Sequence, residues 1–396
     1  MLTRRAKGLT AAVVALAGLT AAGTFAASAL AAPAHPQTYP SYAVKQVLSG
    51  ANLRHVNSKT GKKEALSDPD DITQYGGNLY TAFQNGVGPQ GQASPSGNRD
   101  STIIEFTPGG SVLAQWDVTG KCDGLTADPS TGQIIATVNE DAHSSIYSIE
   151  PDGNAGDAQV IHYSYNEALP HKGGTDAISF YKGMMLVSAS APGTTGSAAP
   201  QPGYPAVYSV TLNQTTKVAT VKPYFYDESS ARIANNPGGL GKHVKLALTD
   251  PDSNEVVPAD TARWPGDFVL TSQGDKEQIY SSQPGSLWVL KLSQSVDDTA
   301  FPTTPHGALY ATDPASDTVD SVDSAAFWDA SAFVAVTPCA ANNAPSTCTA
   351  PNWLGLLNEV TGQITPVTLS GPDLQPQGMI FVPASGSTPP IFPFRG

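Results

Sequence analysis

One short pattern returns along this chain at nearly constant distance. An Asp, a small or polar residue, and then apolar residues mixed with Thr, Ser or Ala appear as Asp70-Asp71-Ile72-Thr73, Asp123-Gly124-Leu125-Thr126, Asp176-Ala177-Ile178-Ser179 and Asp323-Ser324-Ala325-Ala326-Phe327. Gln377-Gly378-Met379-Ile380-Phe381 keeps the shape without the acid. The intervals are 53, 53, 147 and 54 residues. A period near fifty marks a radial repeat in which each unit is one small antiparallel sheet. The expected fold is therefore all-β: a single β-propeller of six, or at most seven, four-stranded blades.

The segments between these starts supply the strands. The first repeat offers Leu79–Phe83, Thr102–Phe106 and Val112–Trp116; the second, Ile134–Val138, Ser145–Ile149 and Ala158–His162. Turn signals such as Pro108-Gly109-Gly110 and Ser130-Thr131-Gly132 separate them. A chain with 37 Gly, 33 Pro and only 14% charged residues suits such a fold and excludes a long helical bundle. The 147-residue interval reads as one blade with insertions near 228–243 and 250–265, or as two blades, one of them irregular. Asp250-Pro251-Asp252-Ser253-Asn254-Glu255 inside it reads as a solvated turn. The last start leaves too little chain for a blade, so Tyr42–Leu48 is expected to complete it and close the ring.

The N-terminus carries Arg4, Arg5 and Lys7, then an uncharged run to Leu30 and an Ala29-Leu30-Ala31 cleavage signal. This reads as a secretory signal peptide over 1–31. A Pro-rich tail follows over 32–41, then the propeller over 42–383 and a Pro-rich tail over 384–396. Removing the three leader cations leaves 18 basic against 34 acidic residues, a net charge of −16. Nucleic acid and anionic membrane surfaces are poor partners for such a chain. The expected product is an exported monomer that inserts into no membrane. Cys339 and Cys348, nine apart in a polar stretch, are expected to form a loop disulfide, while Cys122 reads as a buried filler. Residues 191–204 read as a mobile Gly/Pro/Ser/Ala loop.

In a propeller the first strand of each blade lines the central channel. The residues that start first strands and end second strands then gather at one mouth. That places Asp70, Asp123, Asp176 and Asp323 beside Gln84-Asn85, Asn139-Glu140-Asp141, Ser188 with Ser190, and Ser272-Gln273-Gly274-Asp275, with His143, His171 and His243 in loops of the same face. Converging carboxylates repel one another unless protons or a cation neutralise them. Oxygen ligands of this kind suit a divalent cation, Ca²⁺ first. Asp70, Asp123, Asn139, Glu140 and Asp176 are the candidate metal ligands. Glu140, His143 and His171 are the candidate proton-moving groups. Asp at a strand start also caps turns, so each Asp has a purely structural alternative.

The run Cys122-Asp123-Gly124-Leu125-Thr126-Ala127-Asp128-Pro129, followed by Gly132-Gln133-Ile134-Ile135-Ala136-Thr137-Val138-Asn139, resembles the secreted propellers of the NHL and SMP-30/gluconolactonase-like group. The resemblance spans about 65–383. It implies a divalent cation held by a Glu and Asn/Asp residues at the mouth, assisting hydrolysis of lactones or related esters. Glu140, Asn139, Asp123, Asp176 and Asp70 are the counterparts by position. The sequence contains no G-x-S-x-G, P-loop, G-x-G-x-x-G or H-E-x-x-H motif. Three functions remain open: a propeller that binds a small molecule or extracellular partner at the acidic mouth, a metal-dependent hydrolase, and a lyase on the same face.

Overall fold

Each inner strand of this protein begins with the same kink. In the first blade Pro69 pairs with Phe83 and Ile72 with Thr81, so Asp70 and Asp71 together oppose the single residue Ala82. The bulge recurs as Asp123-Gly124 against Thr137, Asp252-Ser253 against Thr271 and Asp297-Asp298 against Ala335. Backbone hydrogen bonds give the same arrangement to Asp176-Ala177 against Ser188 and to Gln377-Gly378 against Thr312. An extra residue of this kind re-aims its side chains. Here it does so at one level of all six blades.

These relationships come from a computed structural model, which describes residues 41–151, 159–170, 173–190, 203–235, 239–327 and 331–384. The described residues form six four-stranded blades. The first runs Pro69–Tyr75, Asn78–Phe83, Asp100–Phe106 and Val112–Thr119. The second runs Cys122–Ala127, Ile134–Val138, Ser145–Ile149 and Val160–Tyr165, and the third Ile178–Tyr181, Met184–Ser188, Pro205–Asn213 and Val218–Tyr226. A short parallel pairing of Ser164-Tyr165 with Val218-Ala219 joins the second and third blades into one eight-stranded sheet. The fourth runs Pro251–Val256, Phe268–Ser272, Glu277–Gln283 and Ser286–Lys291.

The 147-residue interval therefore holds two inner strands, Pro251–Val256 and Val296–Ala300, and not one. The stretch expected to be a solvated turn at 250–255 is the channel-lining strand of the fourth blade. The chain between 228 and 245 adds Ser230–Ile233 and His243–Lys245 to that blade's outer edge, covering it.

The last two blades are interleaved. The fifth takes Val296–Ala300, then Ala332–Val336, Trp353–Leu357 and Ile364–Pro366. Between its first and second strands the chain crosses over and lays down Gly307–Asp313 and Thr318–Ser324, the middle strands of the sixth blade. Met379–Pro383 is that blade's inner strand and Tyr42–Ser49 its outer one, so the N-terminal strand closes the ring as expected. Asp323 lies in the third strand of this blade, partly exposed and paired with Lys45 at 2.6 Å. It starts no blade. The expected count of six holds, by a different partition of the chain.

Among the described residues six buried clusters fill the six blade junctions. Tyr80, Ile103 and Trp116 of the first blade pack on Leu125, Ile134 and Tyr147 of the second. Leu48, Tyr310 and Val319 of the sixth pack on Ile72, Leu79 and Phe83 of the first. Full burial of one such side chain contributes about 2 kcal/mol, so each junction is a small core of its own.

At every junction at least one side chain also hydrogen-bonds the next blade's backbone. Asp71 accepts from Leu125 N and Asp298 from Met379 N, both at 2.6 Å. At the other junctions a hydroxyl donates instead: Thr137 to the Asp176 carbonyl, Ser188 to that of Asp252, Ser253 to that of Asp297 and Thr312 to that of Asp70. Where Thr137 and Thr312 do this, the second bulge residue is Gly124 or Gly378. A Cβ at either would collide with the same carbonyl.

Cys339 and Cys348 are disulfide-bonded on the surface of the fifth blade, and Cys122 is buried and free. No helix among the described residues is long and apolar enough to cross a membrane. The expected leader, the N-terminal tail, nearly all of the C-terminal tail and most of the 191–204 loop lie outside the described residues.

Candidate functional site: a ring of aspartates in the central channel

The bulges place Asp70, Asp123, Asp176, Asp252, Asp297 and Gln377 at one level of the channel, one from each blade. All six line a central cavity of about 300 Å³. Five of the six equivalent positions carry a carboxylate.

The two halves of the ring differ in their partners. Gln84 Nε2 donates to Asp70 Oδ2 at 2.8 Å and to Asp123 Oδ1 at 3.0 Å, and Gln377 Nε2 donates to Asp70 Oδ1. Lys121 Nζ sits 2.8 Å from Asp123 Oδ1 and also pairs with Glu140. Asp70 and Asp123 are thus compensated. On the opposite side Asp297 receives Gln273 Nε2 at 3.0 Å. Asp176 and Asp252 receive no N–H among the described residues and bond only to each other, as two carboxyls sharing a proton do. Asp176 is 6% exposed, and its only side-chain neighbour in hydrogen-bond reach is the other carboxylate, Asp252. Asp252 Oδ2 is buried without a partner.

Burial is the main cause of the ring's electrostatics. It pushes the Asp176 carboxyl up to about 8, with Glu140 adding repulsion, and that of Asp297 up to about 7, again with Glu140. Asp252 is raised by burial and then by Asp297 and Asp176, Asp70 by burial and Asp123, and Asp123 by burial and Glu140. Burial alone would lower Lys121, but Asp123, Glu140 and Asp70 hold it well above the ordinary lysine range. Of the five ring acids Lys121 pairs directly with Asp123 alone.

A second acidic level lies deeper. Asp71 and Asp298 are occupied by backbone, each accepting two N–H groups. Glu255 lines the same cavity, and its carboxylate receives no donor among the described residues. Burial and the nearby Asp71 push it up to about 8.

The residues singled out from the sequence divide clearly. Asp70, Asp123, Asp176 and Glu140 meet at the channel. Asn139 does not direct its amide there: Oδ1 accepts Lys121 N at 3.0 Å and Nδ2 donates to the His143 carbonyl at 3.2 Å. It holds a left-handed turn with φ 68°. His143 is exposed beside it and does not line the channel. His171 lies outside the described residues. His243, expected at the mouth, sits on the outer edge of the fourth blade with Nδ1 3.1 Å from Ser230 Oγ. Asp252, Asp297 and Glu255 were not singled out as site residues. The signal for them was present: Pro251-Asp252-Ser253 and Val296-Asp297-Asp298 repeat the form of Pro69-Asp70-Asp71, off the regular interval.

Among the described residues no three His, Cys, Asp or Glu side chains converge as a closed metal cage does. The ring is wider than that, with its oxygens arranged round open space.

No protein-family model matches the chain, and no curated protein matches its sequence. Solved structures do align with it. A streptogramin B lyase structure superposes with a TM-score of 0.41 at 12% identity, over 86% of this chain and 91% of that one. A putative 6-phosphogluconolactonase from Bacteroides uniformis superposes at 0.42 and 10%, over 86% and 99%. A Lactobacillus plantarum protein gives 0.43 and 10%, over 87% and 100%. Likenesses this distant assign no function.

Proposed function

We propose that this is an exported binding propeller that captures a positively charged ligand in its acidic channel, on Asp176, Asp252 and Asp297. One observation carries the reading: Asp176 and Asp252 have no donor but each other, and Asp252 Oδ2 has none, while the other acids of the ring receive an N–H. A buried carboxylate without a partner costs several kcal/mol unless it takes up a proton or a cation.

A divalent cation, Ca²⁺ first, fits the chemistry of the donor set, which is hard carboxylate oxygen with no thiolate or imidazole at the ring. The open spacing suits an ion that keeps part of its water shell or shares it with a ligand's oxygens. The same face would also serve metal-assisted hydrolysis of a lactone or ester. Glu140, at the mouth, would then be the group to move a proton.

Thermal unfolding tests the reading. The protein is melted after chelation and again with Ca²⁺, Mg²⁺, Mn²⁺ or a primary amine restored. A ligand of the native state raises Tm by mass action. A rise that follows cation concentration and is lost in Asp252→Asn supports capture at the ring. No rise with any cation overturns it. Turnover of a lactone that stops on chelation would replace binding with hydrolysis.

A further inference from the structure

The channel holds two levels of unpaired carboxylate, and a single small ion can satisfy only one of them. Asp252 and Glu255 lie on the same inner strand, three residues apart, and with the bulge at Asp252-Ser253 this is about two strand steps, or ~7 Å. The upper level is Asp176 and Asp252, with the buried Asp252 Oδ2 lacking any partner. The lower is Glu255. Between them the cavity is lined by Ile72, Leu125, Ile178 and Met379, with Asn254 and Thr299 completing the same level.

Resting on the reading above, we propose that the ligand is a linear diamine or polyamine, lying lengthwise in the channel with one ammonium group at Asp176 and Asp252 and another at Glu255. Three features select this class. A primary ammonium carries three N–H donors, which is what carboxylates without donors require. A methylene chain is the complement of the four apolar side chains between the two levels. Among the described residues no three acids, histidines or cysteines converge as a metal cage does, whereas an ammonium needs only the two carboxylates of Asp176 and Asp252. A quaternary ammonium ion, which has no N–H to donate and is recognised through an aromatic cage, fits poorly.

Calorimetric titration of the full protein with n-pentylamine, cadaverine, spermidine and choline tests the proposal. A charge-assisted hydrogen bond at the second level makes cadaverine and spermidine bind about tenfold or more tighter than the monoamine, with choline weakest. Glu255→Gln brings the diamine down to the monoamine's affinity and leaves the monoamine unchanged; Asp252→Asn weakens both. Equal affinity for monoamine and diamine in the natural protein, or an unchanged ratio in Glu255→Gln, overturns the two-level ligand and leaves capture at the ring standing. Binding of neither amine nor metal overturns both. Glu255→Gln removes a half-buried acid that Asp71 repels, so its Tm is expected to hold or rise. Should it fall, the monoamine–diamine comparison in the natural protein decides alone.

Discussion

Gln377 occupies the bulge position that an aspartate fills in the other five blades, and its amide donates to Asp70 across the ring closure. The substitution places a neutral donor where a sixth carboxylate would add repulsion. With Gln84 and Lys121 it neutralises one side of the channel. The charge left without an N–H donor is thereby concentrated on the third and fourth blades. A ring of equivalent positions becomes a site with a direction.

Stability should fall as pH rises in the absence of a ligand. Asp176, Asp297 and Glu255 are pushed up to about 8, 7 and 8, against about 4 in an unfolded chain. A raised folded value means the native state binds the extra proton between the two values. The stabilisation is full below about pH 4 and is lost progressively up to about pH 8. Denaturant titrations of the chelated protein at pH 5 and pH 8 should show the lower midpoint at pH 8. A bound cation should flatten that slope.

Asp252→Asn should stabilise the ligand-free protein at pH 8, by about 1 kcal/mol, because it replaces a carboxyl repelled by Asp297 and Asp176 with a neutral amide that can donate to Asp176. The same variant should lose the stabilisation conferred by a cation. A melt in chelator and a melt in ligand, run side by side, read both signs.

Asp298→Ala should act in the opposite direction although it lies one residue from the ring. Its carboxylate accepts Thr299 N and Met379 N at 2.6 Å, the latter from the next blade. Removing it leaves two backbone N–H groups without their acceptor, a loss of about 2 kcal/mol or more. Asp297→Asn, beside it, should be neutral or stabilising at pH 8. Urea midpoints of the two variants should move apart.

Gly124→Ala should destabilise by about 1–3 kcal/mol, the cost of overpacking a closed junction. Its Cβ would meet the Asp176 carbonyl and the Thr137 hydroxyl that bonds it. Ala177 stands at the equivalent place in the third blade, where Ser188 makes the junction bond. The effect should therefore be specific to the second and sixth blades, where Gly124 and Gly378 sit, and urea unfolding of Gly124→Ala and Gly378→Ala checks it.

The sequence by itself determined the repeat, the strands and the closing N-terminal strand. Asp70, Asp123 and Asp176 were legible because their blades follow one another without interruption, so equal chain intervals correspond to equal angular steps. The Leu79–Phe83 and Ile134–Val138 strands were legible because four strands with tight turns leave little room for another register. Only the tertiary structure decided the rest. Asp252 and Asp297 fall off the interval because one blade carries added edge strands and the next is interrupted by two strands of its neighbour. Asp323 matches the pattern yet lies on a third strand, since a local pattern carries no information about which sheet a strand joins. The partners of each acid were beyond reach for the same reason. Gln84 lies 39 residues from Asp123 and Gln377 lies 307 from Asp70. Whether a buried carboxylate meets a donor, a cation or nothing depends on contacts that exist only once the ring is closed.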